Sequence, residues 1–186
     1  MYNSIRQYFT RKGTIAPEDA PYEYKAAGTV FTDKHHMLAG YQPHKRKPFI
    51  SGIGGKREEG ETYSITAIRE TVEELFEVDA SYELILKIKK EIRPKRVIKN
   101  GSYVFVVYDF RDLEKLLDIL RYHRIKSKLY DKFPRTLMEL IFNRKDTESS
   151  EISGLALLPI VEHNPSNPFI DPHLISDMPL LLRHTY

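Results

Sequence analysis

The sequence predicts a mixed α/β domain built around a mixed β-sheet, on three observations. These are short runs rich in strand-forming residues, an acidic segment whose apolar residues recur at helical spacing, and a leucine-spaced stretch before the last strand candidate. With 186 residues, the chain reads as one domain, 1–186. Its core is expected over about 22–165, with a helical insertion over about 111–145 and an irregular tail over about 165–186.

Residues 1–20, ending in "APEDA" and broken by Pro17, read as an arm ahead of the core. "EYKAAGTVF" and "HMLAGYQ" follow as paired strands across the turn "TDK". "PHKRKP" is a loop, and "FISGIGG" leads through glycines into "GGKREEGETYSITAIRETVEELFEV", residues 54–78, where a helix with Thr62 as N-cap is expected. "YELILKIKKEI" and "GSYVFVVYDF" read as a hairpin turning at "KNG". Leu113, Leu116, Leu117 and Leu120, then Leu137, Leu140 and Ile141, stand at helical spacing, with Pro134 dividing two helices. "DTESSE" reads as a loop and "GLALLPI" as a returning strand, and in the proline-rich tail only "PLLLRH" is expected to be helical.

The chain has no cysteine, which removes disulfides, thiolate metal sites and thiol catalysis and leaves oxygen and imidazole as metal ligands. No apolar run is long enough to cross a bilayer and nothing near Met1 resembles a signal peptide, so an intracellular, cytoplasmic protein without a membrane partner is expected. The net charge is only +3 although one segment is strongly acidic, so basic residues gather elsewhere. They do so in "HKRK" at 44–47, "KIKK" at 87–90, "RPKR" at 93–96 and "RYHRIKSK" at 121–128. Such clusters suit either solvated faces or a phosphate-rich ligand, whether a nucleotide, an inositol phosphate or an RNA.

Residues 54–78 hold seven glutamates. At about 100° per residue, Ile65, Ile68, Val72 and Leu75 fall within an arc of about 80°, the stripe of a helix packed on a sheet. Glu70, Glu73, Glu74 and Glu77 fall within about 100° on the opposite side. Only Lys56, Arg57 and Arg69 lie nearby in the segment to offset them. A hard divalent cation such as Mg²⁺ or Mn²⁺ suits a face of this kind, because it prefers carboxylate, carbonyl and water oxygens and bridges them to phosphates. The competing reading is an amphipathic surface helix with an acidic outer face and no metal.

The spacing of Gly55, Glu61, Arg69, Glu70, Glu73 and Glu74 resembles the Nudix box, G-x5-E-x7-R-E-U-x-E-E-x-G-U with U apolar. Phe76 stands in place of the final glycine, and Glu77 and Thr71 stand at apolar positions. The resemblance implies a Nudix-like α/β/α sandwich and hydrolysis of a nucleoside diphosphate linked to another group. It further implies that Glu70, Glu73 and Glu74, with the carbonyl of Gly55, bind Mg²⁺ or Mn²⁺, that Arg69 orients Glu70, and that Glu61 braces the loop. The general base varies within the family. Glu151 and Glu148 are candidates here, with Glu91 and Asp109 behind them.

The cluster His44, Lys45, Arg46 and Lys47 precedes the glycine loop and is a candidate for substrate phosphate, while Tyr41, Phe49 and Tyr103 could stack a base. His35 and His36, at the tip of the first hairpin, suit a surface role. In this family loops and insertions choose the substrate. A nucleotide-type pyrophosphate is expected first, with the cap of mRNA as a special case that the scattered basic clusters favour through RNA binding. Dinucleotide polyphosphates, nucleotide sugars and diphosphoinositol polyphosphates are the other expected substrates. A Nudix-fold module that binds a nucleotide or RNA without cleaving it is the alternative from another class.

Overall fold

The computed structural model describes residues 23–44, 47, 49–147, 150–160 and 167–182. The expected N-terminal arm, Lys45, Arg46 and Glu148 lie outside them. In chain order the elements are β1 (Ala26–Thr32), β2 (His36–Gln42), β3 (Phe49–Ser51), β4 (Ile53–Lys56), α1 (Tyr63–Phe76) and α2 (Tyr82–Glu91). They continue with β5 (Arg96–Asn100), β6 (Tyr103–Asp109), α3 (Phe110–Tyr122), α4 (Leu137–Phe142), β7 (Gly154–Pro159) and α5 (Pro172–Leu182).

Among the described residues the sheet has seven strands and is mixed. β1 lies parallel to β6 from Ala26 opposite Tyr103 to Thr32 opposite Asp109. On its other edge β1 pairs antiparallel with β4 along its first half and meets β2 at Thr32 opposite Met37. β2 runs antiparallel to β3 and to β7, and β5 closes a hairpin with β6. Side chains alternate across the sheet. Ala27, Phe31, Val104, Val106 and Tyr108 join one core with α1, α2 and α3, while Val30, Ile98, Phe105 and Val107 join a second with Leu174, Met178 and Leu181 of α5. Helices therefore cover both faces, and the α/β/α layering expected from the sequence is present.

Ile65, Ile68, Val72 and Leu75 are buried in the first core, where each full burial contributes about 1.5–3 kcal/mol. Thr71, at an apolar position of the box, is also buried, and its hydroxyl lies 2.7 Å from Thr29 Oγ1 and donates to the Ala67 carbonyl. A shared hydroxyl pair makes the polar choice tolerable there.

Four expectations need correction. "YELILKIKKEI" is a helix, α2, and not a strand. Ser81 Oγ accepts from the Leu84 N–H, and Leu84, Ile85 and Ile88 bury one face at helical spacing. The hairpin instead pairs "RVIKN" with β6, turning at Gly101. "FISGIGG" contributes two short strands, β3 and β4. The tail is not irregular throughout, because α5 spans Pro172–Leu182 with Pro179 inside it. Arg96 donates to the Leu181 carbonyl at 2.8 Å, and Asn100 Nδ2 to Asp177 Oδ1 at 2.6 Å, so α5 is tied to β5.

Candidate active site

The strand-to-helix connection β4–α1 and the outer face of α1 form a braced acidic unit. Arg69 is its hub. Nε donates to Glu61 Oε1 at 2.7 Å, Nη1 to Glu73 Oε2 at 2.8 Å, and Nη2 to the Lys56 carbonyl at 2.8 Å, while Nη1 also stands 3.0 Å from Glu70 Oε1. Glu61 is held in turn by the Thr66 hydroxyl at 2.7 Å and the Glu58 N–H at 3.0 Å. The planar guanidinium thus joins the loop to two carboxylates one helical turn apart. Thr62 occupies the N-cap of α1 as expected, but its side chain makes no capping bond.

Two glycines permit this closeness. Gly54 has φ 149°, in the region that favours glycine, and donates its N–H to Glu74 Oε2 at 2.8 Å. A Cβ on Gly55 would stand 2.4 Å from the Glu70 carboxylate, so the glycine lets that side chain lie against the loop. Glu74 is accordingly 9% exposed yet hydrogen-bonded.

Glu70, Glu73, Glu74 and Glu77 of the α1 end share a pocket of about 320 Å³ with Glu151, which comes from the segment before β7. Burial pushes the Glu70 and Glu73 carboxyls above the ordinary carboxylate value. Arg69 opposes the shift, and Glu73 with Glu151 reinforces it at Glu70, as Glu58 and Asp79 do at Glu73. Burial acts on Glu61 too, but the hydrogen bonds from Arg69, the Glu58 N–H and Thr66 outweigh it and hold that carboxyl low. Burial disfavours the charge of Arg69, yet Glu61, Glu70 and Glu73 raise its pKa all the same.

The signs differ, and so do the consequences for stability. Glu61 stabilises the fold fully above its unfolded pKa, and that contribution is lost as the pH falls through its depressed folded value. Ionised Glu70 and Glu73 cost stability, and the cost is relieved as the pH falls through their raised values. In a ¹³C NMR titration of the side-chain carboxyls, Glu70 and Glu73 are expected to take up protons at higher pH than Glu61. The reverse order would contradict the brace.

A larger pocket, about 600 Å³, shares Glu151 with the first, includes Gly54 in its lining and opens between the sheet and α5. Phe49, Tyr103 and Phe105 line it with Gln42, Asn100 and Asp177. Burial raises the carboxyl of Asp177, with the Asn100 amide opposing, and burial together with the charge of Glu74 raises the phenol of Tyr103.

No family model matches the chain, and no curated protein matches it by sequence. Among solved structures, it is similar to a bifunctional NMN adenylyltransferase/ADP ribose pyrophosphatase from Francisella tularensis, at 16% identity over 89% of this chain and 42% of that one, with a TM-score of 0.42. It is also similar to a NUDIX hydrolase from Nitrosomonas europaea, at 14% identity over 89% of this chain and 74% of the other, with a TM-score of 0.42. A third is a MutT NUDIX hydrolase from Burkholderia pseudomallei, at 12% identity over 87% and 96%, with a TM-score of 0.40. The chain spans less than half the length of the Francisella protein.

The remaining sequence candidates are scattered. His44 and Lys47 are exposed on the β2–β3 connection and line neither pocket. Asp109 caps α3 and lies 3.3 Å from Lys95, and Glu91 sits exposed at the end of α2. His35 and His36 occupy the β1–β2 turn, where Asp33 accepts from both backbone N–H groups. Phe49 and Tyr103 line the larger pocket, and Tyr41 is 40% exposed.

Sequence reasoning treats Phe76 as the weak point of the box, and the structure gives it a place. Its ring is fully buried, stacked on Phe133 at 5.0 Å and beside Tyr130 at 6.0 Å. α1 ends at Phe76 all the same, because Glu77 takes the left-handed conformation, φ 49° and ψ 48°, that usually falls to glycine. Two residues that sequence reasoning did not single out, Ser127 and Arg144, close the helix end from the insertion. Neither stands in a periodic pattern. Glu77 lines the carboxylate pocket although the sequence assigns it no role, and its place in the carboxylate arc of the helical wheel is the signal that could have found it.

Proposed function

We propose that the protein is a divalent-metal-dependent Nudix pyrophosphohydrolase that cleaves a nucleoside diphosphate linked to another group. The observation that carries this reading is the pocket of five carboxylates, built on a helix with the Nudix-box spacing and opening beside an aromatic pocket. Among the described residues no three acidic or imidazole groups form a ready-made ligand cluster. The donor chemistry nevertheless fits Mg²⁺ or Mn²⁺, since every described residue lining the pocket offers carboxylate oxygen and burial penalises the bare charges of Glu70 and Glu73. Mg²⁺ also binds through one or two carboxylates while keeping waters, so a closed cage is not required.

Glu70, Glu73 and Glu74, with the Gly55 carbonyl, would hold the metal, which supplies a Lewis acid and a bound water of lowered pKa. Arg69 holds Glu70 and Glu73 in place while Glu61 braces the loop behind them. Glu151, which lines the same pocket from the segment before β7, is the residue we assign to accept the proton of the attacking water. The pyrophosphate lies between the two pockets and the base enters the larger one. That pocket's aromatic lining, set beside Asp171 and Asp177, suits a neutral or cationic ring better than a polyphosphorylated inositol. The cap of mRNA, whose methylated base is a cation, is the special case this lining favours.

The test is incubation with Mg²⁺ or Mn²⁺ and a panel of capped RNA, dinucleotide polyphosphates, nucleotide sugars and deoxynucleoside triphosphates. Metal-dependent release of a phosphorylated product from at least one member is expected. No turnover of any member, or turnover undiminished by chelation, would overturn the reading.

A further inference from the structure

An α-helix leaves its last four carbonyls without intrahelical partners. At the end of α1 the last regular bond runs from the cap residue Glu77 to Glu73, and the Glu74, Leu75 and Phe76 carbonyls beyond it find partners in the insertion. Glu73 O accepts from the Glu77 N–H at 2.8 Å and Phe76 O from the Ser127 hydroxyl at 2.6 Å. Glu74 O accepts from Arg144 Nη2 at 2.9 Å and Leu75 O from Arg144 Nη1 at 2.7 Å. The α1 sequence itself supplies no basic residue in its last turn. Arg144 brings the missing positive charge to the negative end of the helix dipole from 70 residues away.

Arg144 does more than cap. The same Nη2 that donates to Glu74 O also donates to the Ile152 carbonyl at 2.7 Å. Glu74 and Glu151, the latter next to Ile152, both line the carboxylate pocket. The Ile152 segment is otherwise held by the Ser153 N–H on Tyr41 O at 3.0 Å and by the Ile152 side chain against Gly40. Tyr130 supports the guanidinium, its hydroxyl lying 3.3 Å from Nη1 while donating to the Leu140 carbonyl. One rigid planar group therefore connects the two backbones, α1 and the segment before β7, that contribute carboxylates to the pocket. A lysine, with one ammonium, lacks the fork to reach all three carbonyls in this geometry.

We propose that Arg144 is a positioning residue of the carboxylate pocket, fixing the separation of Glu74 and Glu151 by joining the end of α1 to the Ile152 carbonyl. The inference rests on the metal-dependent hydrolase reading given above. It assigns Arg144 no contact with substrate or metal.

The test compares the full chain with Arg144→Met, which keeps the apolar stem, and Arg144→Lys. Folding is followed by circular dichroism and thermal melting, Mn²⁺ affinity by the free Mn²⁺ electron-paramagnetic signal, and kinetics on the panel member the parent turns over fastest. Both variants are expected to melt cooperatively, to bind Mn²⁺ more weakly, and to lose about tenfold to a hundredfold in kcat, the size of a small misplacement of reacting groups, with KM little changed. Guanidinium added to an Arg144→Ala variant at sub-denaturing concentration is expected to restore part of the lost kcat, which a cap acting on stability alone would not show.

Parental kcat and Mn²⁺ affinity in a folded variant would overturn the proposal. If Arg144→Met does not fold, Arg144→Lys and the guanidinium experiment decide. If the parent turns over no panel member, the proposed function fails, and the Mn²⁺ comparison still decides whether Arg144 shapes the pocket. A parent that binds no Mn²⁺ overturns both.

Discussion

Replacing both Glu73 and Glu74 by glutamine is expected to cut metal-dependent turnover by about a thousandfold or more while leaving the fold intact, a loss on the scale of removing one preorganised electrostatic contact. The substitution separates charge from shape. Glutamine at 74 keeps an amide oxygen for the Gly54 N–H, and glutamine at 73 still accepts from Arg69. At Glu73, burial and like-charged neighbours already disfavour the charge that is removed. The melting temperature without metal is therefore expected to hold or rise, and protection by millimolar Mn²⁺ to disappear. Assays with Mg²⁺ and Mn²⁺, paired with melting curves, check both halves. Turnover within about tenfold of the parent would remove these carboxylates from the chemistry.

Phe76→Gly restores the residue that the Nudix pattern specifies, yet it is expected to destabilise the protein by about 3–5 kcal/mol, the range for emptying a buried aromatic site. The ring fills the space between α1 and the insertion, against Phe133 and Tyr130, and no small residue replaces those contacts. The glycine has nothing to offer in return, because the left-handed turn has moved one residue on, to Glu77. Urea denaturation measures the loss. A change under about 1 kcal/mol would mean that the insertion collapses onto the cavity or does not depend on the ring. Phe76→Leu should fall between the two.

What the sequence made legible was local. The apolar stripe and the carboxylate arc of α1 follow from one periodicity, and the structure places Ile65 through Leu75 and Glu70 through Glu77 on those faces. α2 was misread because Leu84, Ile85 and Ile88 suit a strand by composition, while the cap on Ser81 and the i, i+1, i+4 burial pattern decide for helix. The tail was underestimated because Pro179 counts against a helix by propensity, whereas packing of Leu174, Met178 and Leu181 on the sheet outweighs it. Arg144 was invisible for a different reason. It acts on carbonyls 69 and 70 positions earlier, and a backbone acceptor carries no residue signature.

The insertion can therefore be viewed through the entropy of chain closure. The brace around Arg69 joins residues at most 13 positions apart, so it constrains little chain. The links from Ser127 and Arg144 back to α1 close loops of 51 and 70 positions, a much larger constraint on the unfolded ensemble. Closure entropy grows only logarithmically, however, and doubling such a loop adds about 0.6 kcal/mol. The length of the 111–145 region is thus nearly free to drift, while Ser127, Tyr130, Phe133 and Arg144, which seal the end of α1, are not.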